Sequence, residues 1–221
     1  MGRRMRLVGR GRLRLVGAAA PAMGVVALLL TLFVAGAAGG SGNALMRWDI
    51  IQLSRVASGP DAGKILLSPG GTASASAVDG SMISVTGSGT FRSNPGNAQA
   101  VTGGGIWSTS GGSIGSHSGT YTVTGFVSFT LAPGTVPAGF VDGITGVKAN
   151  ARGGLAVFKI AYSDGSAGVL VVSCHLPAGA PDSVFEGITA SKGYTDFYNA
   201  PAPSGSPDTA NSGRTQFHVL H

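Results

Sequence analysis

From residue 47 to residue 220 the chain alternates short β-branched and aromatic runs with Gly, Pro, Asp and Asn. That pattern predicts many short strands joined by turns. Runs at 47–56, 72–77, 81–91, 100–109, 119–131, 154–162, 168–176, 184–191 and 215–220 are the expected strands. Asp79-Gly80, Asn94-Pro95-Gly96, Ala132-Pro133-Gly134 and Asp164-Gly165 supply the turn signals between them. The spacing predicts an all-β domain, an antiparallel β-sandwich or a flattened barrel. Residues 108–118 are nearly all Ser and Gly and read as a long flexible loop, and residues 201–212 as a second loop.

One hairpin stands out locally. Asp164-Gly165 separates two strongly apolar runs, and this dipeptide suits a two-residue type I′ turn. Such a turn places Ile160 opposite Val169, Phe158 opposite Val171 and Gly154 opposite His175. Leu170, Val172 and Cys174 then share the second face with Leu155, Val157 and Lys159. Both faces are largely apolar, which predicts a central hairpin covered on both sides. A longer turn shifts the register by one residue and exchanges the faces.

The N-terminal part follows a different pattern. Residues 1–14 hold six arginines and no acid, residues 25–34 are the most apolar stretch, and Ala35-Gly36-Ala37-Ala38 follows. This is the layout of a secretory signal, with Ala35 and Ala37 at the small positions before a cut preceding Ala38. The alternative is an uncleaved membrane anchor, since residues 15–38 are long enough to span as a helix. Residues 1–38 are therefore expected to be a signal peptide or anchor, and 39–221 a single all-β domain outside the cytoplasmic membrane. The same division disposes of the basic composition. The chain has 15 basic and nine acidic residues, but after residue 38 nine of each remain. No basic surface is left to bind nucleic acid. Glycine reaches 38 residues, against only 11% charged residues and a single glutamate, which reinforces strands over helices.

Candidate chemistry is sparse. Gly111-Gly112-Ser113-Ile114-Gly115 has the letters of a nucleophile elbow, but that motif works on a strand–turn–helix and here a Ser/Gly-rich loop surrounds it. Ser173-Cys174-His175 places Cys174 and His175 on opposite faces of one strand, so they do not form a thiolate–imidazole pair there. Cys174, the only cysteine, reads as a small buried hydrophobe. Glu186 lies on an otherwise apolar face and needs a partner, and Lys159 is the economical one. His175 and Glu186 are the candidate catalytic pair. Trp107, Tyr194, Phe197 and Tyr198 are candidate ligand-binding rings, with the cluster at 194–198 suited to stack on sugars or a partner. The spacing of His117, His175, His218 and His221 predicts no transition metal and no cofactor is expected. Asp61, Asp79, Asp142, Asp164 and Asp182 sit in expected turns without the spacing of a calcium loop.

The runs at 161–166, 168–176 and 183–193 resemble a family of exported bacterial Gly-rich β proteins with no assigned activity. The resemblance implies export and transfers no functional residue. The sequence thus predicts an exported or cell-surface β domain, foremost a non-catalytic binding or structural module. Its expected partner is an extracellular ligand, a glycan or a protein, and membrane contact runs only through residues 15–38 if these are uncleaved. The alternative is a small extracellular hydrolase or lyase using His175 and Glu186.

Overall fold

The structure, a computed structural model, describes residues 43–93 and 100–221. Residues 1–38, expected as a signal peptide or anchor, and the expected Asn94-Pro95-Gly96 turn lie outside the described residues. The β-rich runs form strands β1 (Leu45–Arg55), β2 (Ile65–Pro69), β3 (Ala73–Ser76), β4 (Met82–Val85), β5 (Ser88–Arg92), β6 (Val101–Ser110) and β7 (His117–Ala132). The later strands are β8 (Phe140–Asp142), β9 (Ala151–Tyr162), β10 (Ala167–Cys174), β11 (Gly187–Lys192), β12 (Thr195–Phe197) and β13 (Arg214–Leu220). Among the described residues there is no α-helix, only a short 3-10 turn at Lys148–Asn150, and no helix is long and apolar enough to cross a membrane.

Strands β9, β13, β1, β5, β6 and β7 pair in that order, and β7 returns to β9, closing a six-stranded antiparallel barrel. Closure, rather than a sandwich, pairs both edges of each of these six strands. It depends on bending: β7 carries register shifts between Val123 and Gly125 and between Phe126 and Ser128. Such bulges increase local twist and turn a strand around a tight barrel. The lumen is filled. Phe91 stacks on Phe126 with centroids 5.0 Å apart and meets Phe158 edge-on at 5.4 Å, while Trp48 lies 5.4 Å from Phe158. A ligand therefore has no room inside the barrel, and sites must lie at its ends or on its outside.

Glycine explains how so large a ring fits. Trp48 on β1 faces Gly89 on β5, and Gly89 faces Gly103 on β6. A Cβ at Gly89 would stand 2.7 Å from Trp48 Nε1, and one at Gly103 would stand 2.9 Å from its Cζ2. The indole lies over two strands that have no side chains beneath it.

The other strands extend the barrel. β2 continues along β1 past β5, with β8 parallel beside it. β10, β11 and β12 extend outward from β9, and β4 and β3 from β6. These two arms meet at the Ser76–Asn199 bridge, and Trp107, Ile83, Leu170, Ile188 and Phe197 are buried between them.

Three expectations change. The run expected at 81–91 breaks into β4 and β5, which follow each other along β6 with Gly87 between them. The central hairpin has a three-residue loop, Ser163-Asp164-Gly165, closed by the Tyr162 N–H on Ser166 O at 2.8 Å. Gly165 takes positive φ, at 86°, and the Asp164 carboxylate accepts the Ser166 N–H across the loop. The register moves by one: Phe158 faces Leu170, Ala156 faces Val172 and Gly154 faces Cys174. Leu170, Val172 and Cys174 join the core, and Val169 is left exposed. The loop expected at 108–118 shrinks to residues 111–116. There Asp79 accepts the Ser113 N–H at 2.9 Å and its hydroxyl at 2.6 Å, and it also takes both donors of Ser81. These bonds hold the Asp79 carboxyl well below its usual range.

Candidate functional site

Strand β9 has two partners on one edge. β13 pairs with it at Arg152 and Ala151, and β10 pairs with it from Gly154 onward. At this fork β10 and β13 diverge, and backbone donors there lose their place in a ladder. Glu186, immediately before β11, takes them. Its Oε1 accepts the Thr215 N–H and its Oε2 the His175 N–H, each at 2.5 Å. The Thr215 hydroxyl donates to Ser173 O at 2.5 Å and lies 3.2 Å from Glu186 Oε1. One carboxylate thus staples the two diverging strands. Burial pushes the Glu186 carboxyl up to about 8, against the lowering effect of the hydrogen bonds from Thr215 and His175.

Beside the fork lies a cavity of about 340 Å³. Ile51, Leu53, Leu67, Val136, Phe140 and Leu176 form much of its wall, and His175, Glu186, Arg214 and Gln216 are its polar part. Those polar groups are mostly engaged. Arg214 donates to the carbonyls of Ser204, Ser212 and Gly205, and Gln216 Nε2 donates to Arg152 O and Phe217 O.

The cavity brings His175 and Glu186 together, but through the backbone of His175. The imidazole Nε2 sits 3.3 Å from Ala180 O. An imidazole–carboxylate pair is not formed. Lys159 is not the partner of Glu186 either: it is exposed on β9, its stem lying over Gly125, and the cation that acts on Glu186 is Arg214. Cys174 is buried, and desolvation raises its thiol well above the ordinary value, so it is held as an unreactive thiol. Ser113 donates to Asp79 and meets no histidine.

The aromatic candidates divide. Trp107 and Phe197 are core residues, 1% and 0% exposed, because β6 and β12 turn them inward between the arms, so they cannot form a surface platform. Tyr194 and Tyr198 are exposed.

Sequence reasoning missed a buried charge cluster. Arg47 donates to Asp49 on the outside of β1, His218 faces Arg47 on β13, and His218 Nε2 lies 3.2 Å from Asp142 Oδ2. Burial lowers the His218 pKa against the pull of Asp142 and Asp49. Burial works to raise Asp142, but the Thr145 hydroxyl and the Ile144 N–H hold it below its usual range. The only sequence signal was a histidine between the apolar Phe217 and Val219 of the final strand. Asp61 pairs with Lys64 and Asp164 with Lys192. Among the described residues no three His, Cys, Asp or Glu side chains gather to hold a metal ion.

Comparison of the chain with protein-family models, curated proteins and solved structures finds no match.

Proposed function

We propose that the protein is an exported, non-catalytic binding module whose main cavity takes a small, largely apolar ligand. The cavity beside the fork carries this reading: its volume of about 340 Å³ lies within the range of small-molecule sites, and its wall is chiefly aliphatic. Its polar groups already hold strands and loops in place. Export rests on the six arginines of residues 1–14, the apolar stretch and the Ala-x-Ala pattern.

The protein recovered from an exporting host is expected to have a mass beginning at Ala38. That material, titrated with anilinonaphthalene sulfonate, is expected to give a saturable fluorescence rise that a medium-chain fatty alcohol reverses. Val136→Arg, which places a charge in the cavity, is expected to abolish the rise with the far-ultraviolet dichroism unchanged. Absence of the rise, or a rise equal in Val136→Arg, sinks the reading. A full-length mass in the membrane fraction replaces export in soluble form by anchorage.

A small hydrolase or lyase built on His175 and Glu186 has one observation in its favour: a carboxyl held near 8 at a cavity wall, the condition of a general acid. Against it stands the commitment of both carboxylate oxygens to backbone N–H groups. Turnover of aryl esters or aryl glycosides that Glu186→Gln abolishes would favour it.

A further inference from the structure

The turns joining β6 to β7, β9 to β10 and β11 to β12 gather at one end of the sheet. They enclose a second cavity of about 260 Å³, lined by Thr109, His117, Asp164, Ser166, Lys192 and Tyr194 among others. It shares no lining residue with the apolar cavity beside the fork and does not depend on that reading.

Three features mark it as a built site. Thr109 is an inward-facing residue of β6, only 5% exposed, and its Oγ1 has no hydrogen-bond partner. Buried hydroxyls are normally satisfied, so one left open on a cavity wall points to a partner that arrives with a ligand. The Lys192 side chain is 10% exposed, and its ammonium is fixed. It donates to the Asp164 carboxylate and to Ser166 Oγ, and it lies 4.5 Å from the Trp107 ring centroid and 5.0 Å from that of Tyr162. Tyr194, on the β11–β12 turn, is fully exposed at the rim while Phe197, three residues on, is fully buried.

We propose that this end cavity binds a neutral saccharide, with one pyranose ring inserted against Thr109 and stacked on Tyr194. The charges select the class. Lys192 and Asp164 neutralise each other, so an anionic ligand meets Asp164 and a cationic one meets Lys192. A sugar hydroxyl both donates and accepts, which suits Thr109, Ser166 and the Asp164 carboxylate together. The C–H face of a pyranose suits an exposed phenol ring. The buried Trp107 and Tyr162 contribute as the fixed bed under Lys192 and do not touch the sugar.

Saturation-transfer difference NMR on the protein recovered from an exporting host tests the proposal, with cellotetraose, maltotetraose and chitotetraose as neutral probes and tetragalacturonate as the anionic one. At least one neutral probe is expected to bind. Tyr194→Ala is expected to weaken it about tenfold, and Thr109→Val to weaken it by a similar factor. Both variants are expected to melt no lower than the wild type, since one removes an exposed ring and the other an unpaired buried hydroxyl. Val136→Arg, altered only in the other cavity, is expected to bind the sugar unchanged, so the two sites fail or succeed separately. Binding of tetragalacturonate alone, binding of no neutral probe, or wild-type affinity in both Tyr194→Ala and Thr109→Val overturns the proposal.

Discussion

Glu186→Gln is expected to remove a fall in stability between about pH 4.5 and about pH 8 that the wild-type protein carries at this one residue. The sign follows from the direction of the shift. Burial raises the carboxyl from 4.5 to about 8, so across that window the native state holds a proton that the unfolded chain has released. The native state then binds more protons, and stability declines as pH rises. At about 1.4 kcal/mol per unit the ceiling on the effect is about 5 kcal/mol. A glutamine has one acceptor oxygen, so one of the two backbone N–H groups, of Thr215 or His175, faces an amide NH₂ instead. That costs about 1–3 kcal/mol near pH 5, and the deficit is expected to shrink as pH rises and to close or reverse by about pH 8. Glu186→Ala leaves both N–H groups without an acceptor and is expected to lose about 2–6 kcal/mol near pH 5, a deficit that shrinks across the same window. His218 tilts the same profile the other way. Its depressed pKa means stability is lost as pH falls through the folded value, below the ordinary 6.5. The quantity to measure is therefore the difference between wild type and Glu186→Gln in urea unfolding at each pH. A difference independent of pH would show that Glu186 is ionised throughout and is not the strained member of the fork.

The fork also shows what sequence can and cannot carry. Glu186 stood out in the sequence because a lone carboxylate on an apolar face demands a partner. The demand was real, but its answer was two backbone N–H groups exposed by the divergence of β10 from β13, and backbone donors leave no mark in side-chain patterning. Lys159, the residue that patterning suggested, belongs to the solvent face of β9. The strand runs were legible because β-branched and aromatic residues cluster in them between turn signals: β1, β6, β7, β9 and β13 lie within a few residues of their expected bounds. Barrel closure was not legible, since it depends on β7 meeting both β6 and β9 and on two bulges that no local signal specifies. The hairpin erred by one residue for a local reason. The Tyr162–Ser166 hydrogen bond closes a three-residue loop where a two-residue turn was expected, with Asp164 turned to Lys192 and Gly165 at positive φ. That single step put Val172 opposite Ala156 and Cys174 opposite Gly154, on the face of Phe158 rather than that of Lys159. Trp107 and Phe197 looked like surface rings for the opposite reason: their polar neighbours suggested a rim, whereas a second arm of the sheet covers them. Tyr194, at the turn between β11 and β12, is exposed as its position implied.

Gly89→Ala is expected to unfold the barrel or to lower its stability by more than about 3 kcal/mol, beyond the usual cost of a small core enlargement. The backbone conformation of Gly89 is not the cause, since no positive φ is recorded there. Space is the cause. An added Cβ would stand 2.1 Å from Thr102 O, 2.6 Å from Gly103 Cα and 2.7 Å from Trp48 Nε1. Two of these are backbone atoms of the neighbouring strand, so relief requires β5 and β6 to separate or the indole to leave. The indole has nowhere to go, because Phe158 packs against it and Phe91 and Phe126 fill the lumen beyond. In a domain of this size 3 kcal/mol corresponds to a fall in Tm of roughly 6–12 °C. Gly139→Ala is the matched control. It has nothing within 4 Å of an added Cβ and no positive φ, so it is expected to gain about 0.4–1 kcal/mol through the unfolded chain. Thermal unfolding of the two variants side by side separates the explanations of a glycine-rich sequence. If Gly89→Ala melts with the wild type, the glycines of β5 and β6 are not there to seat Trp48. If it fails while Gly139→Ala does not, the close approach of backbone to indole is what the barrel needs from glycine at this point.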